Sequence, residues 1–191
     1  ETFNKDFAFH WQRKKDNTIV RNWKEFADSM LSIPMAHQLI GFYTVADDSD
    51  GVLKVMRSYQ YFAASAISDK VAKAKWEGNN QLGGYVWHTT GAGKTLTSFK
   101  TAQILAANPN IKKVIFLVDR KDLDSQTTEE FNKFEAGSVD VTDRTDVLVR
   151  QMKDKNRQLI VTTMQKMANA VKRPQYEKVM DAYKDEKVVF I

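Results

Sequence analysis

Tyr85-Val86-Trp87-His88-Thr89-Thr90-Gly91-Ala92-Gly93-Lys94-Thr95 is the stretch that decides the fold of this 191-residue chain. A short apolar run opens into a glycine-containing loop, and apolar residues then recur at near-helical spacing. From His88 to Thr95 the stretch matches the phosphate-loop template GxxxxGK followed by Ser or Thr, except that His88 takes the place of the first glycine. The pattern predicts a strand that ends near His88, then a phosphate-binding loop, then a helix.

The residue types of this loop suit a nucleoside triphosphate and a magnesium ion. Gly91 and Gly93 can take positive φ, which lets successive backbone N–H groups approach phosphate oxygens. Lys94 supplies a full charge for the β and γ phosphates, and the Thr95 hydroxyl can hold Mg²⁺. We predict Lys94 and Thr95 as the catalytic residues, with Thr95 as the metal ligand. The predicted nucleotide-binding residues of the loop are Thr90, Gly91, Ala92, Gly93, Lys94 and Thr95.

Composition sets broad limits on the class of protein. Hydrophobic residues make up 42% and charged residues 28% of the chain, which is ordinary for a globular domain with a packed core. Cysteine is absent, which excludes disulfides and thiolate metal sites. No apolar run reaches the roughly 18 residues that a membrane span needs, so we expect a cytoplasmic protein without a membrane partner. The net charge of +5 mildly favours an anionic partner.

Strand and helix patterns alternate after the loop. This alternation predicts an α/β fold of the P-loop NTPase type, with a parallel sheet, helices on both faces and the ligand at the carboxyl ends of the strands. The strand ends at His88, Asp119 and Thr162 should then share one edge. The predicted elements are strands at 113–118, about 158–162 and 188–191, a helix at about 123–134, another at 143–153 capped by Thr142, and helices between 165 and 183.

The N-terminal part of the chain is rich in aromatic residues. A helix is predicted around Trp23 to Leu31, with Asn22 as its cap. Its aromatic stripe could form a stacking platform for single-stranded nucleic acid, but helical spacing favours core or interdomain packing. Residues 47–51 lack calcium-ligand spacing and are predicted to be an exposed turn and a domain boundary. A second helical stretch is predicted from Val52 onward.

Four segments of the chain form a recognisable set. They are Met56-Arg57-Ser58-Tyr59-Gln60, Trp87 to Thr95, Val118 to Gln126, and Ile160 to Lys166. Together they resemble the first motor domain of superfamily-two helicases, and within that group they are most similar to the restriction (motor) subunit of Type I restriction–modification enzymes. The resemblance runs from about Phe7 to Ile191. It implies a RecA-like motor domain at 52–191, preceded at 1–51 by a mainly helical connector from an upstream nuclease domain.

The resemblance also implies roles for individual residues. Arg57 and Gln60 match a motif that reads the adenine edge of ATP, and the phosphate loop then holds ATP with Mg²⁺. The implied partners are double-stranded DNA and the methyltransferase and specificity subunits of a restriction complex. Polar strand-end side chains can hold DNA phosphates without reading sequence. The residues that match the DNA-lining motifs are Arg120, Lys121, Gln126, Thr162, Thr163, Gln165 and Lys166.

The resemblance further implies parts that this sequence does not contain. The family carries an Asp-Glu (Walker B) pair after a strand like Val188 to Ile191, and also a second motor domain and a nuclease domain. We therefore expect a fragment truncated before that pair. Because phosphoryl transfer depends on positioning and charge stabilisation, the fragment alone should be nearly inactive.

Three interpretations of function remain open at this point. The leading one is the motor region of an ATP-dependent Type I site-specific deoxyribonuclease, which couples ATP hydrolysis to double-stranded DNA translocation before cleavage. A second is another superfamily-two helicase or DNA-dependent ATPase, or else a P-loop phosphotransferase acting on a small molecule. A third is a non-catalytic interaction module, which the intact Lys94 and Thr95 argue against.

Overall fold

The computed structural model describes residues 8–47, 51–75, 83–119 and 144–191. Contacts divide the chain into two compact units, of which the first contains residues up to 46 and 52–97 and the second contains 47–51 and 98–191. The predicted connector–motor division at residue 51 stays a prediction.

The elements are α1 (Trp23–Met30), α2 (Ile33–Gly41), β1 (Thr44–Asp47), β2 (Val52–Val55), α3 (Ser58–Lys73), α4 (Lys94–Ala106), β3 (Lys113–Val118), α5 (Thr145–Lys153), β4 (Leu159–Thr163), α6 (Met164–Lys172), a 3-10 helix (Pro174–Tyr176), α7 (Glu177–Asp181) and β5 (Val188–Phe190).

A parallel three-stranded sheet in the order β4-β3-β5 organises the described part of the second unit. Val114 pairs with Leu159 and Val118 with Thr163, while Lys113 pairs with Val188. The central strand β3 is buried along nearly its whole length, as its continuous apolar run favours for a parallel strand covered on both faces. The predicted α/β class is confirmed, and so are the strands predicted at 113–118, about 158–162 and 188–191.

Helices α5 and α6 contact each other and β4 on one side of this sheet. Successive side chains of a strand point to opposite faces, so Ile115 faces this side while Val114 and Phe116 face the other. All three are buried. The core cluster on the helical side consists of Ile115, Leu148, Val149, Met152, Ile160 and Ala170.

Two details of the second unit differ from prediction. The helix predicted at 143–153 begins at Thr145, and Arg144 stands at its N-cap position without a side-chain cap bond. The C-terminal strand is parallel as predicted but is not fully buried, since Phe190 is exposed and the other two residues of β5 are only partly buried. Thr142 and the helix predicted at about 123–134 lie outside the described residues.

An aromatic cluster organises the first unit. The Tyr43 and Tyr61 rings meet edge to face, with their centroids 4.7 Å apart, and Trp11 lies 6.2 Å from Tyr61. The Tyr61 hydroxyl donates to Gln38 Oε1 at 3.0 Å. Edge-to-face pairs of this kind add stability beyond their buried area, so α2 and α3 are fixed through Tyr61.

Helix α1 lies where the sequence predicts it, but none of its residues is buried in a core. The Asn22 side chain accepts from the backbone N–H groups of Lys24 and Glu25, as a helix cap does. None of the helix residues is buried, and Trp23 is 73% exposed. The aromatic stripe therefore does not lie in a buried core within the part of the chain that the structure describes, and the alternative of interdomain packing stays a prediction.

The helix predicted from Val52 is also wrong over its first residues. Residues 52–55 form β2, which pairs with β1, and the helix begins only at Ser58. Two β-branched valines at 52 and 55 favour an extended backbone, and pairing with β1 satisfies its hydrogen bonds. Local periodicity could not reveal the partner strand a few residues upstream.

The strand predicted before the phosphate loop is absent from the described structure. Residues 83–89 have no regular secondary structure, and Tyr85 and Trp87 are 91% and 87% exposed. An extended segment becomes a strand only when its backbone pairs with a neighbour, and none of the described strands pairs with this one. Across the described ranges, no helix is long and apolar enough to cross a bilayer.

A buried lysine joins the start of β3 to the end of α5. Lys113 is 2% exposed, and its Nζ donates to the carbonyl oxygens of Asp154 at 2.5 Å, Gln151 at 3.4 Å and Arg157. Burial lowers the pKa of this ammonium, and the nearby Asp154 carboxylate opposes that shift. A cation at the C-terminal end of a helix is favoured by the helix dipole and can donate to the last carbonyl groups.

We expect Lys113→Met to lower the free energy of unfolding by about 2–3 kcal/mol, because three partly buried hydrogen bonds to a charged donor are lost. Urea denaturation followed by circular dichroism measures this change. Lys112→Met is the matched control, since Lys112 is exposed and its ion pair with Glu186, at 3.3 Å, is worth at most about 1 kcal/mol. Equal losses for the two variants would contradict the role given to Lys113.

Candidate functional site

The loop at 88–95 has the backbone conformation that its glycines predict. Gly91 has φ of +78° and Gly93 has φ of +73°, both in the left-handed region that other residues rarely adopt. Helix α4 starts at the next residue, Lys94. Its first turn is closed by the Thr97 N–H and hydroxyl, which donate to the Gly93 carbonyl at 3.0 and 2.9 Å. A glycine turn that leads into a helix N-terminus presents backbone N–H groups suited to an anion.

The carbonyl of Ala92 is held by the first turn of α3. Gln60 Nε2 donates to Ala92 O at 3.0 Å, and the Tyr59 hydroxyl donates to the same oxygen at 3.2 Å. Gln60 is 5% exposed, and its Oε1 accepts from the Arg57 N–H at 2.9 Å. The Gln60 amide therefore has two roles: its nitrogen holds the loop through Ala92, and its oxygen satisfies a backbone N–H at the start of α3.

Gly93 and Gly91 differ in the space around them. A Cβ added at Gly93 would lie 2.5 Å from Gln60 Nε2, whereas nothing lies within 4 Å of a Cβ added at Gly91. Gly93 is thus required for two reasons, its positive φ and its close approach to Gln60. Gly91 is required for its φ alone.

Lys94 lies exposed at the start of α4. Its Nζ donates to the carbonyl of Thr89 at 3.5 Å, and the Ala92 N–H donates to the same carbonyl at 3.3 Å. Thr95, one residue further into the helix, is partly buried. The ammonium therefore stands over the loop, where it can meet an anion that the loop N–H groups hold.

A cleft of about 420 Å³ opens beside the loop within the first unit, a volume typical of small-molecule sites. The Arg57 guanidinium lies over the Phe9 ring at 5.0 Å, a cation–π contact that fixes it at the cleft. The described residues contain no group of three or more His, Cys, Asp or Glu side chains that could hold a metal ion. The lining residues are Gln12, Asn17, Arg57, Tyr59, Trp87, His88, Thr89, Thr90, Gly91 and Ala92.

Sequence reasoning identified the loop and Arg57 but missed other residues of the cleft. Tyr59 lies between Arg57 and Gln60 in the adenine-reading motif, yet no role was predicted for it. Gln12 and Asn17 carry no sequence signal; Asn17 reaches the cleft through a turn in which it adopts φ of +57°. That turn is closed by the bridge between Gln12 and Ile19.

The residues predicted to bind DNA at the end of β4 are mostly buried. Thr162, Thr163 and Lys166 are buried, and the Thr163 hydroxyl caps α6 by accepting from the Lys166 N–H at 3.3 Å. The Thr162 hydroxyl has no hydrogen-bond partner among the described residues. Of the four residues predicted to bind DNA here, Gln165 alone is exposed. The other three side chains are buried in this structure and so do not lie where they could contact a DNA phosphate.

The other predicted DNA-lining residues, Arg120, Lys121 and Gln126, lie outside the described residues. The carboxyl ends of β3 and β4 are adjacent, because Val118 pairs with Thr163. Asp119 and Gln165 therefore follow neighbouring strand ends, as the parallel sheet predicts. That the phosphate loop shares this edge stays a prediction.

Comparisons with known proteins show the family to which the chain belongs. The SWI2/SNF2 ATPase family profile matches residues 59–191. The chain is 50% identical over 187 residues to the Type I restriction enzyme SauMSSORF170P endonuclease subunit of Staphylococcus aureus strain MSSA476, and 49% identical to the SsaAORF53P endonuclease subunit of Staphylococcus saprophyticus. Each alignment covers 98% of this chain and 19% of the relative, so the chain spans about a fifth of their length.

A shorter relative is similar too. The chain is 43% identical over 129 residues to a Mycoplasma pneumoniae protein described as the C-terminal part of the putative type I restriction enzyme MpnIIP endonuclease subunit. That alignment covers 64% of this chain and 63% of the relative. The predicted resemblance to endonuclease subunits of Type I restriction enzymes is confirmed.

We expect Gly93→Ala to destabilise the protein more than Gly91→Ala. An alanine at positive φ lowers the folding stability by about 1–2 kcal/mol at either position. At Gly93 the new Cβ also displaces the Gln60 amide, and losing the hydrogen bond from Gln60 to Ala92 lowers the stability by about 1 kcal/mol more. Chemical denaturation of the two variants, which carry the same substitution at similar φ, checks the difference. Equal losses would show that the Gln60 contact contributes nothing.

Proposed function

Because the chain belongs to the SWI2/SNF2 ATPase family, we propose that it is the ATP-binding motor region of a Type I restriction endonuclease subunit. In this proposal ATP hydrolysis drives translocation of double-stranded DNA before cleavage, in a cytoplasmic complex with methyltransferase and specificity subunits. The observation that carries it is the loop from Gly91 to Lys94, with two left-handed glycines directly before a 13-residue helix. A RecA-like arrangement of the motor domain is part of the same proposal.

The residues present fit a triphosphate with its magnesium ion. The backbone N–H groups of the loop and the N-terminus of α4 would hold phosphate oxygens, and the Lys94 ammonium would neutralise charge on the β and γ phosphates. The Thr95 hydroxyl would be a ligand of Mg²⁺, which supplies further charge stabilisation when bound. Lys94 and Thr95 are the residues to which we assign catalytic roles.

The base would occupy the cleft on the side of Arg57. The Arg57 guanidinium already lines the cleft, held over Phe9. An amide carries two N–H donors and two acceptor lone pairs. Gln60 uses one donor on Ala92 and one lone pair on Arg57, and its side chain is buried and does not line the cleft. Its remaining donor and lone pair would meet the adenine edge only after the amide becomes accessible from the cleft.

DNA contact is proposed at the carboxyl end of the second unit's sheet. Gln165 is exposed there, next to the end of β3. An amide can hold a phosphate oxygen without reading sequence, as a translocating motor requires. Arg120, Lys121 and Gln126 remain assigned to the same DNA path. No observation favours the alternative of a small-molecule phosphotransferase.

Replacing Lys94 by alanine in the full protein should reduce DNA-stimulated ATP hydrolysis by at least about 100-fold, because a positioned charge on the transferring phosphate is lost. A phosphate-release assay measures the rate. Lys172→Ala, on an exposed position of α6, is the control and should retain normal turnover. Retained turnover in the Lys94 variant would remove this residue from the site.

Changing Gln165 to Glu should raise the DNA concentration needed for half-maximal stimulation of ATP hydrolysis. A carboxylate beside a phosphate costs about 1 kcal/mol in water, or roughly a fivefold change. Titration with duplex DNA at fixed salt gives the value. The matched control is Gln175→Glu, which adds the same charge at an exposed position of the 3-10 helix and should change the value less. Equal effects would place Gln165 outside the DNA path.

A further inference from the structure

One peptide unit of the phosphate loop is held by two side chains at once. The carbonyl of Ala92 accepts from the Tyr59 hydroxyl and from Gln60 Nε2, at 3.2 and 3.0 Å. Both donors are consecutive residues in the first turn of α3, more than thirty positions before the loop. Two convergent donors fix the direction of a carbonyl more firmly than one, since rotation of the peptide would break both bonds.

The direction of this carbonyl sets the direction of the next N–H group. The described residues contain no cis peptide bond, so the Ala92–Gly93 peptide is trans, and its C=O and N–H point in opposite directions. With the carbonyl turned toward α3, the Gly93 N–H points away from α3. Gly93 lies directly before α4, where a phosphate loop presents its donors to an anion.

Tyr59 also contacts the entry of the loop. Its ring meets the His88 ring edge to face, with centroids 5.7 Å apart and planes at 90°. His88 occupies the position that is glycine in the phosphate-loop template. Tyr59 therefore touches the loop at two points, with its ring at His88 and its hydroxyl at Ala92, whereas Gln60 is additionally committed to the Arg57 N–H.

From this geometry we infer that Tyr59 is a positioning residue for phosphate binding. It touches no phosphate itself and acts through the Ala92–Gly93 peptide, whose N–H it keeps aimed at the anion. This inference rests on the proposed function, and it assigns to Tyr59 a role at the phosphate end of the site rather than at the base.

Tyr59→Phe in the full protein tests the inference, because it removes the hydroxyl and keeps the ring against His88. The dissociation constants of Mg·ATP and of inorganic Mg·tripolyphosphate are measured by competition with a fluorescent ATP analogue. The variant loses the hydrogen bond through which Tyr59 orients the Gly93 N–H. The affinities for Mg·ATP and for Mg·tripolyphosphate should therefore both fall by a similar factor, about three- to tenfold. The affinity for adenosine should change less than the affinity for either phosphate ligand, and the melting temperature without nucleotide should fall slightly, because one partly buried hydrogen bond is lost.

Two further variants make the result specific. Tyr85→Phe applies the same substitution at a hydroxyl of a 91% exposed residue outside the cleft lining, and should leave all affinities unchanged. Tyr59→Leu also removes the ring contact with His88, and should weaken both phosphate ligands more than Tyr59→Phe does.

The outcomes separate this inference from the proposed function. Unchanged affinities in Tyr59→Phe would overturn the inference and leave the proposed function standing. Weaker Mg·ATP binding with unchanged Mg·tripolyphosphate binding would also overturn it, since the defect would then lie at the base. A wild-type protein that binds neither phosphate ligand would overturn the proposed function, and the inference with it.

Discussion

The phosphate loop depends on the close approach of the Gly93 backbone to the Gln60 amide. Gly93 has φ of +73°, and any Cβ there would lie 2.5 Å from Gln60 Nε2. Because that space is empty, Gln60 can reach the Ala92 carbonyl and the Tyr59 hydroxyl can join it. The loop is therefore not held by its own turn alone. Its conformation is fixed from α3, a helix that lies far from it in sequence, so the loop donors are preorganised before an anion arrives.

Sequence predicted those features whose causes are local. The glycines at 91 and 93 need positive φ for a tight turn, and the apolar run of β3 is buried because a central parallel strand is covered on both faces. Features that need a distant partner were missed or wrong. Residues 52–55 form a strand by pairing with β1, residues 83–89 pair with none of the described strands, and Lys113 donates to carbonyl acceptors 38 to 44 positions away.

Exposure was the property that sequence predicted least well. Trp23 was expected in a core or an interdomain contact and is exposed, whereas Thr162, Thr163 and Lys166 were expected at a DNA surface and are buried. A hydroxyl at a strand end can cap the following helix as readily as it can meet a phosphate, and Thr163 does the former. A hydroxyl that caps a helix and a hydroxyl that contacts a phosphate can be the same residue type at the same position in the motif. Only packing decides between them, which is why the proposed DNA contact now depends on Gln165 rather than on the whole segment.

The start of α3 couples the two ends of the proposed nucleotide site. The Gln60 amide oxygen closes the helix by accepting from Arg57, while its nitrogen holds the loop through Ala92. Arg57 in turn lines the cleft where the base would lie. A change in the loop that releases the Gln60 nitrogen would thus loosen the first turn of α3, with a coupling on the order of one hydrogen bond, about 1 kcal/mol. Such coupling is reciprocal, so a base that orders Arg57 and Gln60 must also favour the loop conformation that binds phosphate. In the proposed site, recognition of the base and binding of the triphosphate would therefore be coupled by about 1 kcal/mol through a single buried amide.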